Sequence, residues 1–372
     1  MICSLLMAPQ EPVSQEPAPQ PLADLHDTLA KLRTEHDVPA LGCAVLVDGQ
    51  LVALGTAGVR KHGDDTAVTD DDLWHLGSCT KAMTATLLAR DVEAGRLAWT
   101  TTLGDALPDL RDGMHEDARA IPLAQLLQHR AGLPSQPPDA LWRELFAFEG
   151  GDRAARTEVA TVMLAKAPEA APGVRFLYSN ASYMIAGAVA ERVTVDGEVH
   201  EWQQRMRDEL FAPLGMQSAG FGPPGDREHV TQPWGHRKAP RGMQPVFGDN
   251  PSSLGPAGTV HCSLRDWAKF VALHLGVVPT DGEPLLNTAS LAALHRPPTE
   301  PKGADYALGW GVHRRAWAPG PILSHSGSNT MWFCVAWLAP EAKFAVLVTC
   351  NQGDADRACD AVAAAMIRRF RR

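Results

Sequence analysis

Ser78 and Lys81 stand three residues apart in Leu76-Gly77-Ser78-Cys79-Thr80-Lys81, at the head of a long amphipathic run. On a helix that spacing puts both side chains on one face, with Cβ atoms roughly 5–6 Å apart. A serine hydroxyl is a weak nucleophile and needs a base beside it, and the Lys81 amine is within reach. A helix start adds free backbone N–H groups and partial positive charge, which favour negative charge developing nearby. The chemistry on offer is nucleophilic attack on a carbonyl. The same residues also have a plainer reading, in which Ser78 caps the helix and Lys81 lies on the surface. Partners elsewhere in the chain must decide between the two.

Two further stretches supply candidates. Tyr178 and Asn180 lie in Phe176-Leu177-Tyr178-Ser179-Asn180, after the Pro172-Gly173 break and at the opening of a helix through Met184 to Val193. Side chains at such a junction can project into a cleft. The chain has only three tyrosines, so this one is less easily incidental. His325 and Gly327 lie in Ile322 to Asn329, which reads as a strand ending in a glycine turn. His129 and Arg130, in the turn-rich Gln128 to Pro134, are candidates for lining the same cleft.

The elements that must position these groups follow from periodicity. Leu22, Leu25, Leu29 and Leu32 mark a helix over Leu22 to Glu35. Asp48-Gly49 between the apolar runs Leu41–Val47 and Leu51–Gly55 marks a hairpin. After Ser78, Met83, Leu87, Leu88 and Val92 form one helical face, closed by Gly95. Ile121 to Leu127 and much of the Ala-rich chain to Trp202 read as helices. Gly220 to Pro256 reads as irregular, a long rim for a substrate cleft. Gly255-Pro256-Ala257-Gly258 leads into a helix from Ser263 to Leu275, and Asn287 to Leu294 is another. Ala307 to Val312 begins a run of short strands. A second hairpin follows across Pro340-Glu341, between Trp332–Leu338 and Phe344–Thr349, and Asp354 to Phe370 closes as a helix. Sheet at both ends and helices between imply an α+β fold, an α/β sandwich. Its antiparallel sheet is assembled from both chain ends, terminal helices flank it, and a helical lobe is inserted. A cleft belongs at the junction.

Composition narrows the partners. A formal charge of -9 argues against nucleic acid, which calls for a basic patch. The one basic cluster, Arg368, Arg369, Arg371 and Arg372, suits a helix C-terminus. Cys3, Cys43, Cys79, Cys262, Cys334, Cys350 and Cys359 are odd in number and hold no C-x-x-C pair. They make neither a disulfide framework nor a zinc site. The fourteen histidines show no ligand spacing, so no metal is expected. No apolar run approaches the roughly 18 residues of a membrane span. Ile2 to Ala8 is too short for a signal peptide, and Pro9 to Pro21 reads as a flexible leader. The expected organisation is a disordered leader over 1–21 and one enzyme domain over 22–370. Location is left open between export with a truncated signal and the cytoplasm.

Taken in order, Ser78-x-x-Lys81, Tyr178-x-Asn180 and His325-x-Gly327 form a set. With it come Ile121-Pro122-Leu123, Gly132-Leu133-Pro134, Pro172-Gly173, Pro256-Ala257-Gly258 and Leu308-Gly309-Trp310-Gly311. This set closely resembles the serine β-lactamase-like superfamily over roughly residues 22 to 370. The nearest branch holds class C β-lactamases, family VIII esterases, D,D-peptidases and D-aminopeptidases. The resemblance implies a serine hydrolase with no cofactor, acting through an acyl-enzyme on a small ester, amide or D-amino-acid peptide. It implies Ser78 as nucleophile, Lys81 as its base, and Tyr178 both as partner base, turned towards phenolate by the Lys81 cation, and as the acid that protonates the leaving group. Asn180, His325 and Gly327 would meet the substrate, and the N–H groups of Ser78 and Ser328 would form the oxyanion hole. One departure stands out. β-Lactamases and most D,D-peptidases carry lysine where this chain has His325, so the usual grip on a β-lactam carboxylate is weakened. A β-lactam- or peptidoglycan-binding module, or a β-lactamase of slow turnover, is the alternative. Cys79 reads as buried filler.

Overall fold

The computed structural model of the chain describes residues 22–278, 283–300 and 304–371. The expected leader lies outside them. Six strands form one antiparallel sheet: β1 (Ala40–Val47), β2 (Gln50–Gly58), β3 (Gly311–His313), β4 (Ile322–Ser328), β5 (Phe333–Ala339) and β6 (Phe344–Cys350). Their order is β3-β4-β5-β6-β1-β2. The N-terminal hairpin thus joins the C-terminal strands, with Cys43 opposite Val348 and Val45 opposite Val346. Asp48 and Gly49 both take positive φ, 52° and 76°, the turn geometry expected of Asp-Gly in a hairpin.

β1 reads Ala-Leu-Gly-Cys-Ala-Val-Leu-Val, with no polar alternation, because both faces of the sheet are covered. Leu41, Cys43 and Val45 pack with Leu29 of helix α1 (His26–His36) and Val362 of the C-terminal helix Asp356–Phe370. Ala44 and Leu46 turn the other way, into a larger core with Trp74, Leu87 and Leu88. That core includes α2 (Thr80–Glu93), buried on nearly every side. The inserted lobe adds α3 (Gly151–Leu164) and α4 (Asn180–Ala190), tied by a fully buried ion pair between Arg156 and Glu191.

Three readings of the sequence are corrected. Gly327 is no turn; it sits inside β4, opposite Cys334. The chain from Gly220 to Pro256 is not wholly irregular, since Gly235–Ala239 and Gly242–Val246 pair as a hairpin. A four-residue strand, Val260–Ser263, precedes the helix Leu264–His274 and pairs with Leu73–His75. Strands of that length carry too few residues for a period to register.

Candidate active site

Ser78 does not cap α2. It sits half-buried in a 3-10 turn, Gly77–Cys79, that runs into the helix. Lys81, one turn on, is fully buried. Its Nζ lies 3.1 Å from Ser78 Oγ, 2.7 Å from Asn180 Oδ1 and 2.8 Å from the Ala257 carbonyl oxygen. Burial pushes the amine down to about 7, opposed by the neighbouring Cys79. Three oxygens surround the amine. Asn180 and Ala257 hold two of its N–H bonds, and the third points to Ser78 Oγ, where loss of a proton leaves a lone pair facing the hydroxyl.

Ala257 enters through its backbone, so no residue type in the sequence marks it. Its turn, Gly255–Gly258, is fastened to α2 by Thr84, whose hydroxyl donates to the Pro256 carbonyl at 2.7 Å.

Tyr178 and Asn180 are held by the loop after Leu127. Leu177 N–H donates to the His129 carbonyl at 2.8 Å, and Asn180 N–H donates to the Ser135 carbonyl at 2.8 Å. Ser179 caps α4 by accepting from Ser182 N–H. The Lys81 Nζ stands 4.9 Å from the centre of the Tyr178 ring and 5.4 Å from that of Tyr183. Contrary to the expected phenolate, burial pushes the Tyr178 phenol up, beyond the opposing pull of its hydrogen bond with Ser78. The phenol is therefore a proton donor at neutral pH. His129, fully buried, packs its ring against Tyr178 with centroids 4.2 Å apart. Burial, then the charges of Lys81 and His325, push His129 well below the usual imidazole range. Arg130 is buried without a carboxylate partner among the described residues, and nothing in the structure explains it.

His325 is buried on β4, and both ring nitrogens are engaged within the protein. Nδ1 lies 2.6 Å from the Ser326 carbonyl oxygen and Nε2 lies 2.9 Å from Tyr306 Oη. The carbonyl can only accept, so Nδ1 carries a proton and donates to it, while Nε2 is paired with the Tyr306 hydroxyl. Both polar atoms of the ring are thus engaged within the protein. Alternation along β4 instead exposes Ser326 and Ser328. No sequence motif singles out Tyr306. Its rarity is the available signal, for all three tyrosines gather round this site.

Gly327 brings β4 against the serine turn. A Cβ there would fall 2.0 Å from the Leu76 carbonyl oxygen and 2.8 Å from Ser78 N. Only bare backbone permits this approach, which sets the Ser328 end of β4 beside Ser78. Cys79 is buried, its Sγ 3.5 Å from that of Cys334. Among the described residues, no group of three or more His, Cys, Asp and Glu side chains could hold a metal ion. None of the described helices is long and apolar enough to cross a membrane. A cavity of about 560 Å³ is bordered by Arg207, Phe221, Arg227, Asp249 and Thr259, and none of Ser78, Lys81, Tyr178 and His325 lines it.

A serine, a buried lysine and a tyrosine around a glycine-lined backbone edge are the parts a serine acyl-transfer enzyme would use. The chain belongs to the Beta-lactamase family, whose model matches residues 25–367, and it is a serine hydrolase of that family. It is 32% identical over 331 residues to penicillin-binding protein 4 of Amycolatopsis lactamdurans, covering 87% of this chain and 83% of that one. It is 26% identical over 305 residues to an unguisins hydrolase of Aspergillus campestris, covering 77% of this chain and 54% of that longer one. In fold it is similar to the β-lactamase/D-alanine carboxypeptidase of Pseudomonas syringae, with a TM-score of 0.76 at 22% identity. That match covers 93% of this chain and 99% of the other.

Proposed function

We propose that Ser78 is the acylated nucleophile of a hydrolase acting on small esters and amides, D-amino-acid peptides among them. Lys81 takes the hydroxyl proton as Ser78 attacks the carbonyl carbon. The N–H groups of Ser78 and Ser328 receive the negative oxygen. Tyr178 gives its proton to the departing alcohol or amine and recovers one from the Lys81 ammonium. Water then attacks the acyl-enzyme, Lys81 accepting its proton and returning it to Ser78 Oγ as the C–O bond breaks and the acid leaves. Asn180 orients Lys81 and offers its amide to the substrate. Ser326, exposed on β4, is placed to meet the substrate where the His325 ring is not.

The observation that carries this reading is the placement of the buried Lys81 amine, 3.1 Å from Ser78 Oγ and held there by Asn180 and the Ala257 carbonyl. Its test is Ser78→Ala, expected to abolish release of p-nitrophenol from short p-nitrophenyl esters. Unchanged hydrolysis would end the assignment.

A second reading has support in the 32% identity to a penicillin-binding protein. In it Ser78 is acylated by β-lactams and released slowly. A fluorescent penicillin that stays on Ser78 would favour it. The engaged ring of His325 stands against it, since no lysine is there to draw in the carboxylate.

A further inference from the structure

Asp249 lies outside every motif, in the loop between the hairpin Gly235–Val246 and the Gly255–Gly258 turn, yet its carboxylate holds two elements of the site. Oδ2 lies 2.7 Å from His75 Nε2, and Oδ1 accepts from Asn329 Nδ2 at 2.8 Å. Oδ1 also accepts from the neighbouring Asn250 N–H at 2.8 Å. From His75 the connection continues, because Nδ1 accepts the Gly77 N–H at 3.1 Å. Gly77 opens the turn that carries Ser78. From Asn329, Oδ1 accepts the N–H groups of Met331 and Trp332, each at 3.1 Å. Asn329 directly follows Ser328, the last residue of β4. The Trp332 ring stacks on His75 at 5.5 Å and 28°, closing the circuit. The His75 and Asp249 side chains are 0% and 5% exposed, so water does not replace these bonds.

Donor and acceptor roles are fixed throughout. Gly77 N–H can only donate, so His75 Nδ1 holds a lone pair and Nε2 carries the proton given to Asp249. We propose that Asp249 is a positioning residue which, through His75 and Asn329, sets the spacing of the two oxyanion-hole N–H groups. The proposal rests on Ser78 and Ser328 supplying those groups.

Asp249→Asn keeps the shape and breaks the logic. If its amide nitrogen faces His75, the imidazole must turn its lone pair to it and set Nδ1–H against Gly77 N–H. If the nitrogen faces Asn329, two amide donors meet. Either way one arm is lost. Combining Asp249→Asn with Asn329→Asp restores both arms, and only the neighbouring Asn250 N–H loses its acceptor. The new amide at position 249 then accepts from His75 and donates to the new carboxylate at position 329.

The experiment uses the full chain, a short p-nitrophenyl ester and a boronic acid that forms a tetrahedral adduct with Ser78. Asp249→Asn is expected to lower kcat by about 10²-fold with KM nearly unchanged, since losing one oxyanion donor costs about 10²–10³. Boronate affinity falls in parallel, and the double variant recovers most of both. A kcat within about threefold of the parent, or a change confined to KM, overturns the proposal. If Asp249→Asn does not fold, the double variant decides: near-parent kcat supports the clamp, and a folded protein with a loss of about 10²-fold overturns it. Ser78→Ala separates the two levels. Hydrolysis surviving there defeats the nucleophile assignment. Its loss there, beside a normal Asp249→Asn, defeats the clamp alone.

Discussion

Gly77 and Gly327 meet back to back with no side chain between them. Gly77 takes φ +46°, and a Cβ on it would stand 2.4 Å from Ser328 N and 2.8 Å from the Gly327 carbonyl carbon. The two candidate oxyanion donors are neighbours because two residues lack side chains. Gly327→Ala must push β4 away from the serine turn, since backbone and not a flexible side chain is in the way. Its kcat on a p-nitrophenyl ester is expected to fall at least about 10²-fold, with KM little changed. Stopped-flow acylation on protein of unchanged melting profile checks this.

Activity should depend on a group titrating near neutrality. Lys81 acts as base only when unprotonated, and burial brings its pKa to about 7. The kcat/KM for an activated ester should therefore rise with pH through about 7 and fall away below it, reporting the free enzyme. Lys81→Arg stays charged across the range. Its residual rate should be flat near neutrality. A parent profile flat from about pH 6 to 8 would contradict the role of Lys81.

The His325 ring is bonded to Tyr306 and the Ser326 carbonyl, which leaves neither nitrogen free for a carboxylate. His325→Ala should therefore slow a chromogenic cephalosporin and a p-nitrophenyl butyrate by the same factor, roughly 5- to 10-fold for a lost buried hydrogen bond. A rise in KM for the cephalosporin alone would make the ring a carboxylate anchor after all.

Glu191 and Arg156 are both 0% exposed and paired, and Glu191 also accepts from Trp202 N–H at 3.1 Å. Glu191→Ala leaves a buried guanidinium short of its partner, at a cost of about 3–5 kcal/mol in urea unfolding. Replacing both, as Arg156→Met with Glu191→Leu, should recover most of that loss.

Much of the scaffold is legible because it is written in short-range periods. Both hairpins, the Ser78 helix and the closing helix stand where apolar spacing puts them, while α1 begins at His26 and not at Leu22. What escapes depends on contacts between distant residues. Gly327 reads as a turn because glycine usually marks one. Here it answers to the Leu76 carbonyl, which no local pattern reveals. The Ala257 contact is a carbonyl common to every residue. A lysine cation beside Tyr178 would lean it towards phenolate, but the burial that lowers Lys81 also raises the phenol. His75 and Asp249, 174 residues apart, meet through a loop that composition reads as irregular.

The sheet that joins both ends of the chain also sets an order of birth. Cys79 and the His325 carbonyl are neighbours although 246 residues apart in sequence. During synthesis at about 5–20 residues per second, the serine turn emerges well before the strand that completes its oxyanion hole. β1 and β2 wait likewise for β6, their partner. On the roles proposed for Ser78 and Ser328, a nascent chain would carry its nucleophile unarmed until β4 is made and joins the sheet.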